Sequence, residues 1–168
     1  MKGLVVLLAV ALAGCGYHVG NSAHLLPDTI HTIAVTPWAN GSIHYKFADQ
    51  IAEAVSRELI TRTRYTVIAD PAKADAVLSG SVANIFASAT VNDPVLNRST
   101  AGQVTVQLQV RLIAKDGKML FNRPSLEFKE RYEIATTAGQ YFDESDIALQ
   151  RVSGDAARAI VSAILESF

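Results

Sequence analysis

The most regular hydrophobic pattern in the chain lies between Gln103 and Ile113, where apolar and polar residues alternate strictly. A period of two over this length predicts a β-strand with one face against a core and the other toward solvent. The next residues include Asp116-Gly117, a strong hairpin signal, so the chain is expected to turn back. The returning antiparallel strand is predicted from Met119 to about Ile134, with an interruption at Pro124.

Two other segments follow the period of an amphipathic helix. The first spans residues 45–63, and charged residues lie between its apolar positions. The second begins near the acidic residues 143–146, which suit the amino end of a helix, and keeps helical spacing to Phe168. The apolar positions of the first helix are Phe47, Ile51, Ala54, Val55 and Leu59.

Shorter apolar runs complete a sheet. Strands are predicted at Ile30–Pro37, at Arg64–Ile68 and from Lys73 through Val82 toward Val91. Residues 92–100 are rich in Asn, Asp, Pro and Ser, which predicts an exposed connecting loop. The sequence contains no internal repeat or long linker. The order of elements therefore favours one α+β domain, in which a single-layer mixed or antiparallel β-sheet packs against two α-helices as a two-layer sandwich.

Residues 1–15 form a separate unit. Lys2 is followed by the uninterrupted apolar run Leu4–Leu12 and by the small residues Ala13-Gly14, which is the layout of a secretory signal peptide. The run is too short for a comfortable membrane-spanning helix, which needs about 20 apolar residues. The one cysteine of the chain, Cys15, comes next. Small residues directly before a cysteine resemble the lipobox of bacterial lipoproteins.

The lipobox resemblance implies that the chain is cut before Cys15 and that Cys15 carries the lipid, palmitate included. Each buried methylene contributes about 0.8 kcal/mol, so several acyl chains would hold the protein durably. Gly16 stands where lipoproteins kept in the inner membrane usually carry Asp, which favours the outer membrane. The expected organisation is a cleaved signal peptide at 1–14, a lipid-anchored tether at 15–29 and a single domain at 30–168. The alternative is an ordinary signal peptide with an incidental free thiol.

Charge and composition argue against several functions. The chain has 15 Lys and Arg residues against 16 Asp and Glu residues, a balance that does not suggest a nucleic-acid partner. The four histidines, His18, His24, His31 and His44, lack a compact metal-ligand spacing. The sequence also lacks the common nucleotide-binding and nucleophile motifs. No catalytic residue, metal or cofactor beyond the covalent lipid is therefore predicted, and the protein is expected not to be an enzyme.

Glu130 departs from the pattern around it. It falls on the apolar side of the alternation in residues 119–134. A bulge or the fraying end of the strand is the preferred explanation, and a functional buried carboxylate is the alternative.

Several short stretches spread over the chain carry a family resemblance. The most specific is Cys15-Gly16-Tyr17-His18-Val19, near the amino end. The others are Leu25-Leu26-Pro27, Ile33-Ala34-Val35-Thr36-Pro37, Ala74-Asp75-Ala76-Val77-Leu78-Ser79-Gly80, Phe128-Lys129-Glu130-Arg131-Tyr132-Glu133 and Tyr141-Phe142-Asp143-Glu144. Together they resemble the lipopolysaccharide-assembly lipoprotein family, whose members are LptE-like proteins.

This resemblance implies a non-enzymatic partner of the outer-membrane β-barrel translocon LptD. Such a partner sits inside the barrel as a plug, helps the barrel to fold and binds lipopolysaccharide on its way to the cell surface. Basic residues near strand ends would then bind lipid A phosphates, since ion pairing to phosphate is favourable. A solvated turn is the alternative role for these cations. The candidates around the predicted hairpin are Arg111, Lys115, Lys118 and Arg123.

Two other functions remain open from the sequence. The protein could be a periplasm-facing lipoprotein that scaffolds or pilots another envelope or secretion complex, because fold does not determine function. A third hypothesis is an envelope hydrolase, which predicts a concave site with converging titratable groups. The identity of a co-purified barrel distinguishes the LptD partner from the scaffold or pilot of another complex.

Overall fold

The computed structural model of the protein describes residues 26–27, 29–93, 98–134 and 145–167. The predicted signal peptide, Cys15 and most of the predicted tether lie outside these residues. The described chain forms β1 (Thr32–Val35), β2 (Ala39–Asn40), α1 (Phe47–Arg62), β3 (Thr66–Ile68), a 3-10 turn at Pro71–Lys73, β4 (Ala76–Asp93), β5 (Arg98–Ala114), β6 (Met119–Glu133) and α2 (Ser145–Glu166).

The strands belong to one mixed sheet in the order β3-β1-β4-β5-β6, and β2 pairs with β4 further along the same edge as β1. β1 runs parallel to β3 and to β4, and β2 also runs parallel to β4. The long strands β4, β5 and β6 pair antiparallel with one another. Together with the two helices, this confirms the predicted α+β fold.

The alternation in β5 orients the sheet. Its even-numbered residues from Val104 to Leu112 are buried and share one core with apolar residues of both helices. We call this the helix side of the sheet. The odd-numbered residues from Gln103 to Arg111 face the other side, which we call the open side. Burying about half of each strand on one side explains why these strands alternate instead of being apolar throughout.

The two helices lie side by side and run in the same direction. Arg62, at the end of α1, donates a hydrogen bond from its guanidinium to the Ser162 hydroxyl near the end of α2, at 2.9 Å. The first turns of both helices line one cleft at the opposite end. No helix within the described ranges is long and apolar enough to span a membrane.

The predicted hairpin between β5 and β6 is present. The Ala114 N–H donates to the Lys118 carbonyl at 2.9 Å, and the Gly117 N–H donates to the Ala114 carbonyl at 2.9 Å. Gly117 has a φ of 87°, in the left-handed region that glycine occupies without a steric cost. Pro124 does not end β6, but the register of β5 and β6 shifts between Leu108 and Val110, opposite the proline.

The predicted loop at residues 92–100 is wrong in its extent. β4 continues to Asp93 and β5 begins at Arg98, and these two residues pair across the hairpin. Strand pairing satisfies backbone groups at residues 92–93 and 98–99, which outweighs the loop-like composition of these residues. The two-residue strand β2 is too short to produce a hydrophobic pattern and was not predicted.

The preferred explanation for Glu130 is also wrong. Glu130 lies within a regular part of β6, directly opposite Val104, so neither a bulge nor strand fraying places it on the helix side. Its Oε1 accepts a hydrogen bond from Arg151 Nε of α2 at 2.7 Å. Arg151 also donates to the Arg131 carbonyl at 3.3 Å. The carboxylate therefore links the edge of the sheet to the second helix.

Candidate functional site

One end of the sheet brings together the start of β1 and the β5–β6 turn, and we call it the turn end. Asp75 Oδ2 accepts hydrogen bonds from the N–H groups of His31 and Thr32, both at 2.9 Å, and from Thr32 Oγ1 at 2.8 Å. Its carbonyl accepts from the Lys115 N–H at 2.8 Å. The hydrogen bond from His31 and those from Thr32 lower the pKa of Asp75. An ionised Asp75 therefore joins three segments here.

The turn end presents two of the predicted phosphate-binding residues. Lys115 and Lys118 are both exposed. The Asp116 carboxylate accepts a hydrogen bond from the Lys118 N–H at 2.9 Å, which fixes the shape of the turn. The Asp116 carboxylate therefore binds the backbone of the turn. The side chains of Lys115 and Lys118 are exposed to solvent.

The other two candidates lie on opposite sides of the sheet. Arg111 faces the open side, where its Nε donates to Ser79 Oγ at 3.0 Å. It lines a shallow cavity of about 270 Å³ together with Asn122 and Pro124. Arg123 pairs with the core residue Val110 and lies over the Phe121 ring, 5.1 Å from its centroid. The structure therefore does not bring all four cations into one cluster.

The four candidates share one property that separates them from most other cations of the domain. Within the described ranges, none of the four forms a salt bridge with a carboxylate. Their positive charge is thus available to an external anion. The cations that are paired with a neighbouring carboxylate are Arg57, Arg62, Lys73, Lys129, Arg151 and Arg158.

The open side of the sheet is a polar surface. Its central row on β5 consists of Gln103, Gln107, Gln109 and Arg111, and Thr105 in the same row is buried. On β6 the Lys129 ammonium lies 2.7 Å from the Glu127 carboxylate. The hydrogen bond from Lys129 and a second from Gln107 lower the pKa of Glu127. Such a face suits contact with polar surroundings better than burial in a hydrophobic core.

Near the amino ends of both helices, a loop held by hydrogen bonds connects β2 to α1. Asn40 holds this loop: its Oδ1 accepts hydrogen bonds from the N–H and the hydroxyl of Ser42, both at 2.8 Å. Its Nδ2 donates to the carbonyls of His44 and Tyr45 at 3.0 and 3.2 Å. Gly41 ties the loop to the sheet by donating to the Val82 carbonyl at 2.8 Å. We call residues 41–46 the presenting loop.

The presenting loop directs apolar side chains into solvent. Ile43 is 88% exposed and Tyr45 is 74% exposed. With Ile147, which is also exposed in the first turn of α2, they surround a cleft of about 500 Å³. The Lys46 ammonium lies 5.7 Å from the centre of the Tyr45 ring. Clustered exposed apolar side chains on a loop held by hydrogen bonds are typical of a contact surface.

The sequence analysis predicted no interaction surface here, and it placed Tyr45 in the predicted helix 45–63. The two large apolar residues Ile43 and Tyr45, close together outside the predicted core positions, were the available signal for such a surface. Two of the four histidines, His18 and His24, lie outside the described residues, as does Cys15. Among the described side chains, no group of three or more His, Cys, Asp and Glu residues is placed to hold a metal ion.

The chain forms a small α+β domain with a polar open side and an exposed apolar loop, and comparisons with known proteins identify its family. The sequence model of the lipopolysaccharide-assembly family, LptE, matches residues 30–164. The chain belongs to this family. A search among curated protein sequences finds no match.

Solved structures share the fold at low sequence identity. An uncharacterized lipoprotein B from Nitrosomonas europaea is 16% identical, with a TM-score of 0.57 over 90% of this chain and 96% of that one. The rare lipoprotein B from Shewanella oneidensis is 12% identical, with a TM-score of 0.56 over 79% of this chain and 95% of that one. PelC from Paraburkholderia phytofirmans, solved as a dodecamer, is 16% identical, with a TM-score of 0.51 over 82% of this chain and 89% of that one.

Proposed function

We propose that this protein acts in lipopolysaccharide transport as the plug and assembly partner of an LptD-type outer-membrane β-barrel. The observation that carries the proposal is the family match over residues 30–164, which includes all the elements of the sheet and most of α2. The protein acts without catalysis: it occupies the barrel, supports its assembly and contacts the lipid that passes through. Its anchor is a lipid on Cys15.

Two surfaces support a barrel partner. The interior of a large outer-membrane barrel is polar, and the open side of the sheet offers Gln and Arg side chains along β5. The presenting loop offers Ile43 and Tyr45, which suit an apolar contact with a loop of the barrel. Polar and apolar contacts on separate faces allow one compact domain to fill a lumen and still hold a defined orientation.

The turn end supports contact with an anionic lipid. Lys115 and Lys118 project from a fixed turn and form no ion pair with a described carboxylate. Leu26, near the end of the predicted tether, is buried in the core a few residues before β1. Since β1 starts at the turn end, a short tether would keep these two lysines close to the membrane surface. Two neighbouring lysines suit the phosphates of lipid A, because their ammonium groups can donate charge-assisted hydrogen bonds to phosphate oxygens.

Removal of the protein from the cells that produce it tests this function. The proposal predicts that less lipopolysaccharide reaches the cell surface and that the intact chain restores the level. If the surface level is unchanged and the assembly of a different secretion or envelope complex fails, the protein is a pilot or scaffold of that complex instead.

A further inference from the structure

A small cavity on the open side of the sheet surrounds Arg111 and lies beside a β-bulge. The register of β5 and β6 shifts between Leu108 and Val110. Two residues of β6, Pro124 and Ser125, therefore occupy the place of one. Pro124 lines a shallow cavity of about 270 Å³ together with residues of β4 and β5. We call it the Arg111 cavity.

The polar side chains of the Arg111 cavity place hydrogen-bond donors around one positive charge. Arg111 donates from Nε to Ser79 Oγ at 3.0 Å, which holds the guanidinium and leaves its two Nη groups without a described partner. Ser81 donates to Gln109 Oε1 at 3.4 Å, so the amide N–H groups of Gln109 remain for another acceptor. The Asn122 amide also lines the cavity, and none of the described lining residues is acidic. The cavity therefore suits an anion with acceptor oxygens.

The charge of the Arg111 cavity favours a carboxylate over a phosphate. Among the described residues that line it, Arg111 is the only cation. Arg123 faces the helix side of the sheet, and Lys115 and Lys118 belong to the turn after β5. A phosphate monoester carries about 1.5 to 2 negative charges at neutral pH, which one guanidinium balances only in part. A carboxylate carries one charge and presents two oxygens to the guanidinium fork.

The acidic residues of the chain do not account for the Arg111 cavity. No described carboxylate forms a salt bridge with Arg111. Residues 1–25 and 94–97 lie outside the described ranges, and they contain no Asp or Glu. Of the acidic residues that are also outside these ranges, two immediately precede α2, which packs on the helix side, and one precedes β1 at the turn end. The cavity therefore suits an anion from another molecule. The three acidic residues outside the described ranges are Asp28, Asp143 and Glu144.

The exposure of the Arg111 cavity indicates that its anion belongs to a protein surface. Arg111, Gln109 and Asn122 are exposed, and an ion pair that stays in water contributes little, so a free small anion is held weakly. A partner surface that covers the cavity excludes water and strengthens the same contact. The described lining contains no aromatic side chain, so a sugar ring finds no platform for stacking there. An acidic side chain on a covering protein meets both conditions.

We propose that the Arg111 cavity receives an Asp or Glu side chain from the inner wall of the partner barrel. The two Nη groups of Arg111 donate to the two carboxylate oxygens, and the amides of Gln109 and Asn122 donate to the remaining lone pairs. Ser79 is a positioning residue, because it holds the guanidinium through Nε. This inference rests on the proposed barrel partnership. It names the chemistry by which the polar open side recognises its partner.

Substitutions of Arg111 test its charge and its geometry separately. Barrel recovered with the unsubstituted full chain is titrated in mild detergent against each variant. Arg111→Gln is expected to raise the dissociation constant at least about tenfold, because the carboxylate of the barrel loses its counter-charge, and Arg111→Glu is expected to raise it further. Arg111→Lys keeps the charge without the fork, so a smaller increase is expected. Arg57→Gln, which removes an exposed guanidinium from α1, is the matched control and should not change binding. Thermal melting by circular dichroism checks that each variant is folded.

Zero-length cross-linking gives a second readout. Arg111→Lys places a primary amine in the cavity, and a carbodiimide joins an amine to a carboxylate only when the two are in contact. Mass spectrometry is expected to find position 111 joined to an Asp or Glu of the barrel. Gln103→Lys, on the same side of β5 but outside the cavity, is the matched control. Changing the identified acidic residue to Arg is expected to restore the binding that Arg111→Glu loses.

The outcomes separate this inference from the proposed function. Equal binding of the barrel by the unsubstituted chain and by Arg111→Gln overturns the inference and leaves the barrel partnership in place. An unsubstituted chain that captures no barrel contradicts both. If Arg111→Gln weakens binding of purified lipopolysaccharide while its binding of the barrel is unchanged, the cavity holds a lipid phosphate and the inference is also overturned.

Discussion

Gly80 of β4 lies directly beneath the ring of Trp38. A Cβ atom at position 80 would come within 2.5 Å of two atoms of that ring. Trp38 is buried, and its ring is part of the core between sheet and helices. The missing side chain therefore makes room for the largest aromatic residue of the domain, at the point where the chain passes from β1 to β2. This explains the glycine in the family-like stretch Ala74–Gly80.

Gly80→Ala is expected to lower the free energy of unfolding by about 1–3 kcal/mol, because a buried ring or the strand has to move. Denaturant unfolding measures the change. Gly154→Ala is the matched control: it lies within α2, and its added Cβ would meet only the flexible Arg158 side chain at 3.6 Å. This control should raise the free energy of unfolding by about 0.5–1 kcal/mol. Equal effects at the two positions would contradict the packing argument.

Asp75→Asn is expected to destabilise the protein at neutral pH. The amide oxygen of Asn lacks the negative charge of the Asp75 carboxylate oxygen, which accepts three hydrogen bonds from His31 and Thr32, so it would accept them more weakly. Because the pKa of Asp75 is lowered in the folded state, its ionised form stabilises the fold above about pH 4, and this contribution is lost as the pH falls through the folded-state pKa.

The free-energy difference between the unsubstituted chain and Asp75→Asn should therefore narrow as the pH falls below about 4. Chemical unfolding over a series of pH values measures it. Asp70→Asn is the control, since its side-chain oxygen can still accept the hydrogen bond from the Ala72 N–H. A difference for Asp75→Asn that is constant over the whole pH range would contradict the role of its charge.

Replacing Lys115 and Lys118 together by Ala is expected to weaken lipopolysaccharide binding without unfolding the domain. The expected loss is about tenfold, from two charge-assisted contacts near the lipid phosphates. The double variant Lys73→Ala with Lys129→Ala removes the same charge from lysines that are already paired with carboxylates. Binding to purified lipopolysaccharide is measured by titration. Equal losses in the two double variants would show that net charge, and not the turn, accounts for binding.

Ile43→Ser combined with Tyr45→Ser is expected to reduce capture of the barrel while changing the free energy of unfolding by less than about 1 kcal/mol. Both side chains are exposed, and substitutions there remove few contacts within the domain. The control is Ile60→Ser, at an exposed position of α1 far from the presenting loop. If the amount of captured barrel is the same for all three proteins, the presenting loop is not a contact surface for that partner.

The local elements could be predicted because their signals are local. The β5 alternation, the Asp116-Gly117 turn and the helical period of α1 each depend on residues close in sequence, and the structure contains all three. The parallel pairing of β1 with β4 is different. It depends on Thr32 and Asp75, which are 43 residues apart, and no short-range pattern encodes such a contact.

The surfaces were less predictable than the fold. Glu130 is explained only by Arg151, which lies on another element, so the sequence showed an exception without its cause. Arg111 and Arg123 are close in sequence to the turn, yet strand geometry and a register shift place them on opposite sides. The presenting loop depends on the side chain of Asn40 reaching residues up to five positions away. In each of these cases, the surroundings of the side chain depend on residues brought close by the fold.

The identity of the stable partner tests the central proposal most directly. The full chain is captured from detergent-solubilised envelopes under mild conditions, and the proteins that remain bound are identified by mass spectrometry. The proposal predicts a large outer-membrane barrel of the LptD type in a defined stoichiometric complex. Recovery of the folded chain with no barrel, or with the components of another secretion complex, would contradict it.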